Sequence, residues 1–452
     1  METISSKYAD FVSGLSYEDL DSETISDTKK LILDLVGVSL AGYRLMEFPQ
    51  MVVKYFADMG GSPEATIIQT KKKFPAVNAA MANASCAHAL DMDDGHRFGA
   101  LHPGAAVIPA AIAAAELSHA GPRELITGIV VGYEVMIRVG MAIVPSSLSR
   151  GFHITGIAGP FGSAAASASI LGLSREEIIG AFGMAGLQAS GLIQVNHEIE
   201  GAKVKPINPA SASMSGLLSC LLARKGARGP FSIFEGEDGY LRAFSDEDKR
   251  DLLTRDLGER FEIHNVYIKL YAGCRHAHAP MDAALEAFRK SEIAPSTISK
   301  IVVETYQAAI RLSGMTDVTT PSAARFSIPF SVALVIVKQD GGADKYCEEN
   351  VRDGLIQDLS RKVEMAESKK WNMLYPDKRG ATVTIFDGKG TSWSAEVGLA
   401  KGEPENPASL EEVYRKFLNN AAQLLSPQEA EELGETIMNL EVHSVEELVG
   451  LI

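Results

Sequence analysis

Residues 103–118 read PGAAVIPAAIAAAELS, with hardly a side chain that is not small and apolar. A helix built from this run has no polar face, and a helix apolar all round is buried inside a large protein. The same reading spreads outward. Residues 76–91 form an Ala/Met/Asn-rich helical candidate ending at Asp91, and 122–144 form another long one. Upstream, DTKKLILDLVGVSLAGYRL (27–45) places Leu31, Leu35 and Val38 close to the i, i+4, i+7 pattern. Downstream, Ser174 with Glu177 is a capping box before IIGAFGMAGLQASG, and Ser211–Leu222 continues the theme. Gly accounts for 40 of 452 residues, above the roughly 7% of an average protein, as closely approaching helices require.

The pattern changes after about His264. ISKIVVETY (298–306) is β-branched. ATVTIFDGKGTSWSAEV (381–397) is the clearest hairpin: Val383 and Ile385 alternate with Thr382 and Thr384 before the Asp387-Gly388 turn. Helix candidates at 329–338 and 346–359 lie between these strands. KGEPENPAS (401–409) reads as a linker, followed by capping boxes at Ser409/Glu412 and Ser426/Glu429. The expected architecture is mostly α with an α+β part. A large discontinuous helical domain (1–264 and 401–452) would be interrupted by a smaller α+β domain (265–400).

Composition narrows the function. Hydrophobic residues at 46% and charged residues at 22% exclude disorder. A formal net charge of −15 argues against nucleic acid or an anionic membrane as partner. Cys86, Cys220, Cys274 and Cys347 are scattered without a C-x-x-C pair, which suits a reducing compartment without disulfides, zinc ribbon or iron–sulfur cluster. METISSKYADF lacks the plan of a signal peptide. Pro109 and Glu116 interrupt one apolar stretch, Glu134 and Arg138 the next, so neither is expected to reach the ~20 residues of a membrane span. The expectation is a soluble cytoplasmic protein. With no P-loop, no G-x-G-x-x-G after a strand and no G-x-S-x-G, nucleotide cofactors and serine hydrolysis have little support.

Histidines and lysines gather in four places: His88-Ala-Leu-Asp91-Met-Asp93-Asp94-Gly95-His96 with His102-Pro103-Gly104; Gly151-Phe-His153-Ile-Thr-Gly156; Lys203-Val-Lys205-Pro-Ile-Asn208-Pro209; and Lys269-Leu-Tyr271-Ala-Gly-Cys274-Arg275-His276-Ala-His278-Ala-Pro280. His102, Lys205 with Asn208, and Arg275 with His278 each precede a proline and a predicted helix, at Ala105, Ser211 and Met281. Helix N-termini favour anions. Basic residues beside three of them would suit a substrate with several carboxylates, although a proline that merely starts a helix explains any one of them. Asp and His in the first cluster are metal-ligand types, but H-E-x-x-H and the EF-hand loop are absent, so no metal is expected. Without a metal, an aspartate beside an imidazole is acid–base equipment. Asp93 and Asp94 read first as helix-terminating or capping residues. Lys269 has an alternative as a lysine snorkelling to the surface, and His153 as a buried core histidine. In an extended stretch His276 faces away from His278, which favours His278; His119, His197, His264 and His443 read as surface or structural.

HALDMDDGH, HPGAAVIPAA, GFHITG, KPINPASASMSGLL, GPFSIFEGEDG, KLYAGCRHAHAPMDA, FSIPFSVA and KGEPENPASLEE, in this order over about residues 30–420, resemble the MmgE/PrpD family. The resemblance implies a helical domain, an α+β lid domain, a homodimer and catalysis without a cofactor. It implies site positions at Asp91, His102, His153, Lys205 and Lys269. Substrate contacts would involve Gly95, Lys203, Asn208, Arg275 and His278. Gly95 stands where members often have Thr, Asn208 where many have His, Ile154 for a frequent Pro, and Ala272 for Pro in K-x-Y-P. The implied activity is a hydro-lyase on a di- or tricarboxylate of the 2-methylcitrate kind, through a carbanion stabilised by Lys and His. Decarboxylation of a cis-aconitate-like substrate and epimerisation of an iminodisuccinate-like one begin or end with the same carbanion. A metal-dependent hydrolase and a non-catalytic binding protein are the alternatives from other classes.

Overall fold

A computed structural model describes residues 2–68, 70–196, 198 and 203–452. His197 lies outside them. The chain divides into two compact units: Met1–Ala89, Asp93–Val266 and Val413–Ile452 form the first, and Leu90–Met92 with Tyr267–Glu412 the second. Helices dominate, and the larger sheet belongs to the second unit.

The first unit is built on α1 (Ser22–Leu45), α2 (Ala76–His88), α3 (Pro103–Ser118), α4 (Pro122–Ile143), α5 (Ile154–Ile170), α6 (Arg175–Leu187) and α7 (Ile207–Arg224). A small hairpin of β1 (Ala65–Ile67) and β2 (Lys72–Phe74) lies beside them. The starts follow local chemistry. Asp21 accepts from Thr24 N at the head of α1, Pro103 and Pro122 open α3 and α4, and Ser174 and Glu177 form the expected reciprocal box. Helix α5 is central, packed against α3, α4 and α7. Glycine makes this possible: a Cβ on Gly162 would lie 2.8 Å from the carbonyl oxygen of Gly132, so α4 and α5 touch backbone to backbone.

Two expectations change here. Helix α7 starts at Ile207, so Asn208 and Pro209 lie within its first turn rather than before it; a first-turn proline costs no intrahelical hydrogen bond. Helix α4 is one continuous element, long and apolar enough by length and composition to cross a membrane. Nearly all of its span is buried in the protein, because Arg138 Nε pairs with Glu134 Oε1 at 2.5 Å one turn away, and both polar groups stay inside.

The second unit holds β3 (Ile298–Thr305), β4 (Val363–Glu367), β5 (Ala381–Asp387) and β6 (Ser392–Val397), ordered β4-β3-β5-β6. The predicted hairpin is the β5–β6 pair, with Val383 opposite Ala395; β4 runs parallel to β3. Helix α8 (His278–Ser291) covers β5 and β6 and packs on α9 (Ile328–Lys338). Helix α8 also starts earlier than predicted, making His278 its first residue. The 346–359 candidate breaks into Glu348–Val351 and Gly354–Arg361, the latter capped by Asp353. After the linker come α10 (Leu410–Ala421) and α11 (Pro427–Met438), each with its predicted box, and then a short helix Val445–Gly450 capped by Ser444.

Candidate active site

In the first unit the chain delivers three imidazoles to one place. His88 closes α2, His102 is the N-cap of α3 and His153 the N-cap of α5. The His88 ring lies edge-on to His102 with centroids 4.8 Å apart, and 6.1 Å from His153. Asp93 is fully buried beside them. His88 Nδ1 donates to its carboxylate at 2.9 and 3.1 Å, and His102 Nδ1 stands 3.4 Å from Oδ2. Burial opposes the Asp93 charge, yet the two imidazoles hold this carboxyl well below its usual range.

The tautomers are fixed by what faces each nitrogen. His102 Nδ1 lies 2.7 Å from the carbonyl oxygen of Asp94, which can only accept. A proton therefore sits on Nδ1. The His102 backbone N–H donates to Thr155 Oγ1 at 3.0 Å, which ties the start of α3 to α5. His88 is neutral: burial, opposed by Asp93 and reinforced by the Lys205 ammonium, pushes it down to about 4. Its Nε2 is buried with no hydrogen-bond partner among the described residues. His88, Asp93 and His102 bring ligand-type atoms within 4.8 Å of one another. Both Nδ1 atoms, however, spend their protons on oxygens, so the arrangement reads as a hydrogen-bond relay.

Asp94 braces this relay. Its Oδ1 accepts from Gly104 N at 3.0 Å, at the first turn of α3, and Oδ2 accepts from Tyr133 at 2.7 Å. Burial and the neighbouring Asp93 charge push its carboxyl up to about 8. The capping role expected for both aspartates thus holds for Asp94. It fails for Asp93, whose carboxylate is taken by two imidazoles.

Lys205 is buried just ahead of α7, and Asn208 N donates to its carbonyl at 3.1 Å. Asn208 Nδ2 is a second buried group without a hydrogen-bond partner among the described residues. Gly191, at φ 141°, carries the carbonyl that accepts from His153 N. A Cβ there would come within 2.8 Å of Asn208 Oδ1, so only glycine lets these two strands of the site meet. Lys203 is half-buried, and Gly95 lies buried in the short extended segment Gly95–His96.

The second unit has its own charged cluster. Lys269 is 1% exposed, so it does not snorkel; its Nζ donates at 2.8 Å to both Asp91 Oδ1 and the Asp91 carbonyl. Asp91 occupies the left-handed region at φ 49°, a conformation aspartate tolerates better than most residues. Arg275 grips Glu403 Oε1 through Nε and Nη2 at 3.0 and 2.9 Å, and its Nη1 donates to His278 Nδ1 at 3.0 Å. His276 bonds to the Tyr306 hydroxyl, and burial with the Arg379 and Lys269 charges pushes it down to about 3. Burial likewise lowers Arg325 to about 10.

Of the ten residues singled out from sequence, His102, His153, Lys205, Lys203, Asn208 and Gly95 belong to the first unit. Asp91, Lys269, Arg275 and His278 belong to the second. His88, Tyr133, Arg325 and Arg379 were not selected. His88 stood in the first cluster quoted, five residues before Asp93, and Arg325 directly precedes FSIPFSVA, whereas no quoted motif holds Tyr133 or Arg379.

The MmgE/PrpD N-terminal domain model matches residues 6–253, and the MmgE/PrpD C-terminal domain model matches 271–442. The chain belongs to the MmgE/PrpD family. Among similar family members, cis-aconitate decarboxylase of Aspergillus terreus is 26% identical, covering 97% of this chain and 93% of that protein. The Homo sapiens cis-aconitate decarboxylase is 25% identical over 98% of this chain and 92% of its own length. Mitochondrial 2-methylcitrate dehydratase of Yarrowia lipolytica is 26% identical over 59% of this chain and 52% of that protein. Membership makes an enzyme the expected role of this chain and leaves its reaction to be assigned.

Proposed function

We propose that this MmgE/PrpD protein is a cofactor-independent lyase that acts on a di- or tricarboxylate through a carbanion beside a carboxylate. One observation carries the reading: His102 donates its Nδ1 proton to the Asp94 carbonyl beside the Asp93 carboxylate, which makes Nε2 the nitrogen assigned to take up a proton. Such an imidazole is a general base whose imidazolium is stabilised as it forms. A proton on carbon next to a carboxylate is weakly acidic, so the developing negative charge needs cations. Lys205 supplies one, and Asn208 adds an amide donor from the same unit.

In dehydration, Nε2 takes the carbon proton and that electron pair closes the double bond. The C–O bond breaks as the hydroxyl leaves as water with a proton from an acid, here His153. Dehydration uses this base and this acid together and is the first reading. Decarboxylation is the second, favoured by the relatives that match almost end to end, which are decarboxylases by name. There the carboxylate departs as carbon dioxide and an acid protonates the carbanion. Incubation with 2-methylcitrate or citrate, following alkene absorbance with products identified by NMR, separates the two. Alkene formation supports dehydration. Carbon dioxide release from cis-aconitate without it replaces the first reading by the second.

A further inference from the structure

His88 is 1% exposed, and its two nitrogens face different company. Nδ1 gives its proton to Asp93, so Nε2, on the far side of the ring, is a lone-pair acceptor only. It is buried without a donor among the described residues, in the group formed by His102, His153 and Lys205. A buried acceptor left without a donor is costly, so such an atom is expected to be met by a ligand or a water. A fully ionised unsaturated tricarboxylate has no donor, whereas a hydroxy acid has one.

We infer that His88 Nε2 accepts the hydroxyl hydrogen of the substrate and is a specificity-determining residue favouring hydroxy-tricarboxylates over the same skeleton without the hydroxyl. Holding that hydrogen fixes the direction of the C–O bond and leaves the oxygen lone pairs for the acid. The inference rests on the carboxylate-lyase reading and narrows its substrate class.

The test is calorimetric binding of citrate and of tricarballylate, which keeps the three carboxylates and replaces the hydroxyl by hydrogen. Wild-type protein should bind citrate about tenfold or more tightly, the scale of one well-made buried hydrogen bond. His88→Asn puts an amide donor where Nδ1 was and nothing where Nε2 was. It should keep tricarballylate affinity within about threefold of wild type and lose the citrate preference. His88→Gln restores an acceptor near the Nε2 position and should keep part of the preference, which also serves if His88→Asn does not fold. Equal affinities in wild type would assign Nε2 to a water and overturn the inference while leaving the carboxylate reading standing. A citrate preference that survives intact in His88→Asn, or is lost in folded His88→Gln, overturns it as well. Binding of neither ligand overturns both readings.

Discussion

Lys205 shows how much one buried ammonium can be asked to do. It sits in a helical unit of an acidic protein, at the head of α7, and its charge adds to the burial that lowers the His88 imidazole. If it also grips a substrate carboxylate, Lys205→Ala should lower kcat/KM by at least tenfold, about 1.4 kcal/mol of transition-state stabilisation. Steady-state kinetics on whichever polycarboxylate the protein turns over checks this, with circular dichroism confirming the fold; unchanged kcat/KM removes the residue from the site. Residue types and spacing marked Lys205 and His102 as basic residues ahead of a helix, whereas His153 stood out only through the Gly-bounded GFHITG segment and the family resemblance. They were not enough to rank Asp93 above Asp94. That distinction depends on which carboxylate the imidazoles reach, and it is set by the turn after α2, in which Asp91 takes a positive φ. Lys269 was legible as a candidate, but its burial was not, because YIKLYAG carries no sign of the loop that brings Asp91 to it.

At the scale of elements, small residues decide how near the helices come. A Cβ on Gly216 of α7 would lie 2.4 Å from Ser163 Cβ, 2.5 Å from Ala164 N and 2.7 Å from Pro160 O, all on α5. Helix propensity alone makes Gly→Ala favourable by roughly 1 kcal/mol. Here the clash is with backbone that cannot swing aside, and forcing the helices apart costs ~1–3 kcal/mol. Gly216→Ala is therefore expected to be net destabilising. Gly14→Ala, at the end of helix Ile4–Gly14 with nothing within 4 Å, should be neutral or slightly stabilising. Urea midpoints of the two variants measure the contrast; equal shifts would mean that α5 and α7 do not pack this closely. The helices themselves were legible from apolar runs, capping boxes and prolines, and the β5–β6 hairpin from its alternation and Asp-Gly turn. The β4 strand was not, because VEMAE buries only Val363 fully and offers no alternating face to read. It is a strand because β3 lends it a parallel partner, a tertiary cause that local pattern cannot contain.

Across the whole molecule, the end of the chain comes back to its beginning. Phe417 of α10 packs on α1, where a Cβ at Gly37 would meet its ring at 3.0 Å. Next to it, Lys416 Nζ pairs with Asp34 Oδ1 at 2.5 Å, and both side chains are almost wholly buried. The Asp34 charge also acts on Tyr133 and Asp94, raising both, so this closure and the brace under His102 share one electrostatic field in the first unit. Removing one member of a buried pair strands the other charge, which costs ~3–5 kcal/mol, whereas replacing both by apolar groups of similar size is often neutral. Lys416→Met should therefore lower the denaturation midpoint sharply and push the Asp34 carboxyl toward its protonated form. The double variant Asp34→Leu with Lys416→Met should recover most of the loss. A chemical-denaturation cycle over the four proteins gives the coupling directly. If Lys416→Met alone is as stable as wild type, residues 413–452 contribute packing area but no electrostatic closure to the helical unit.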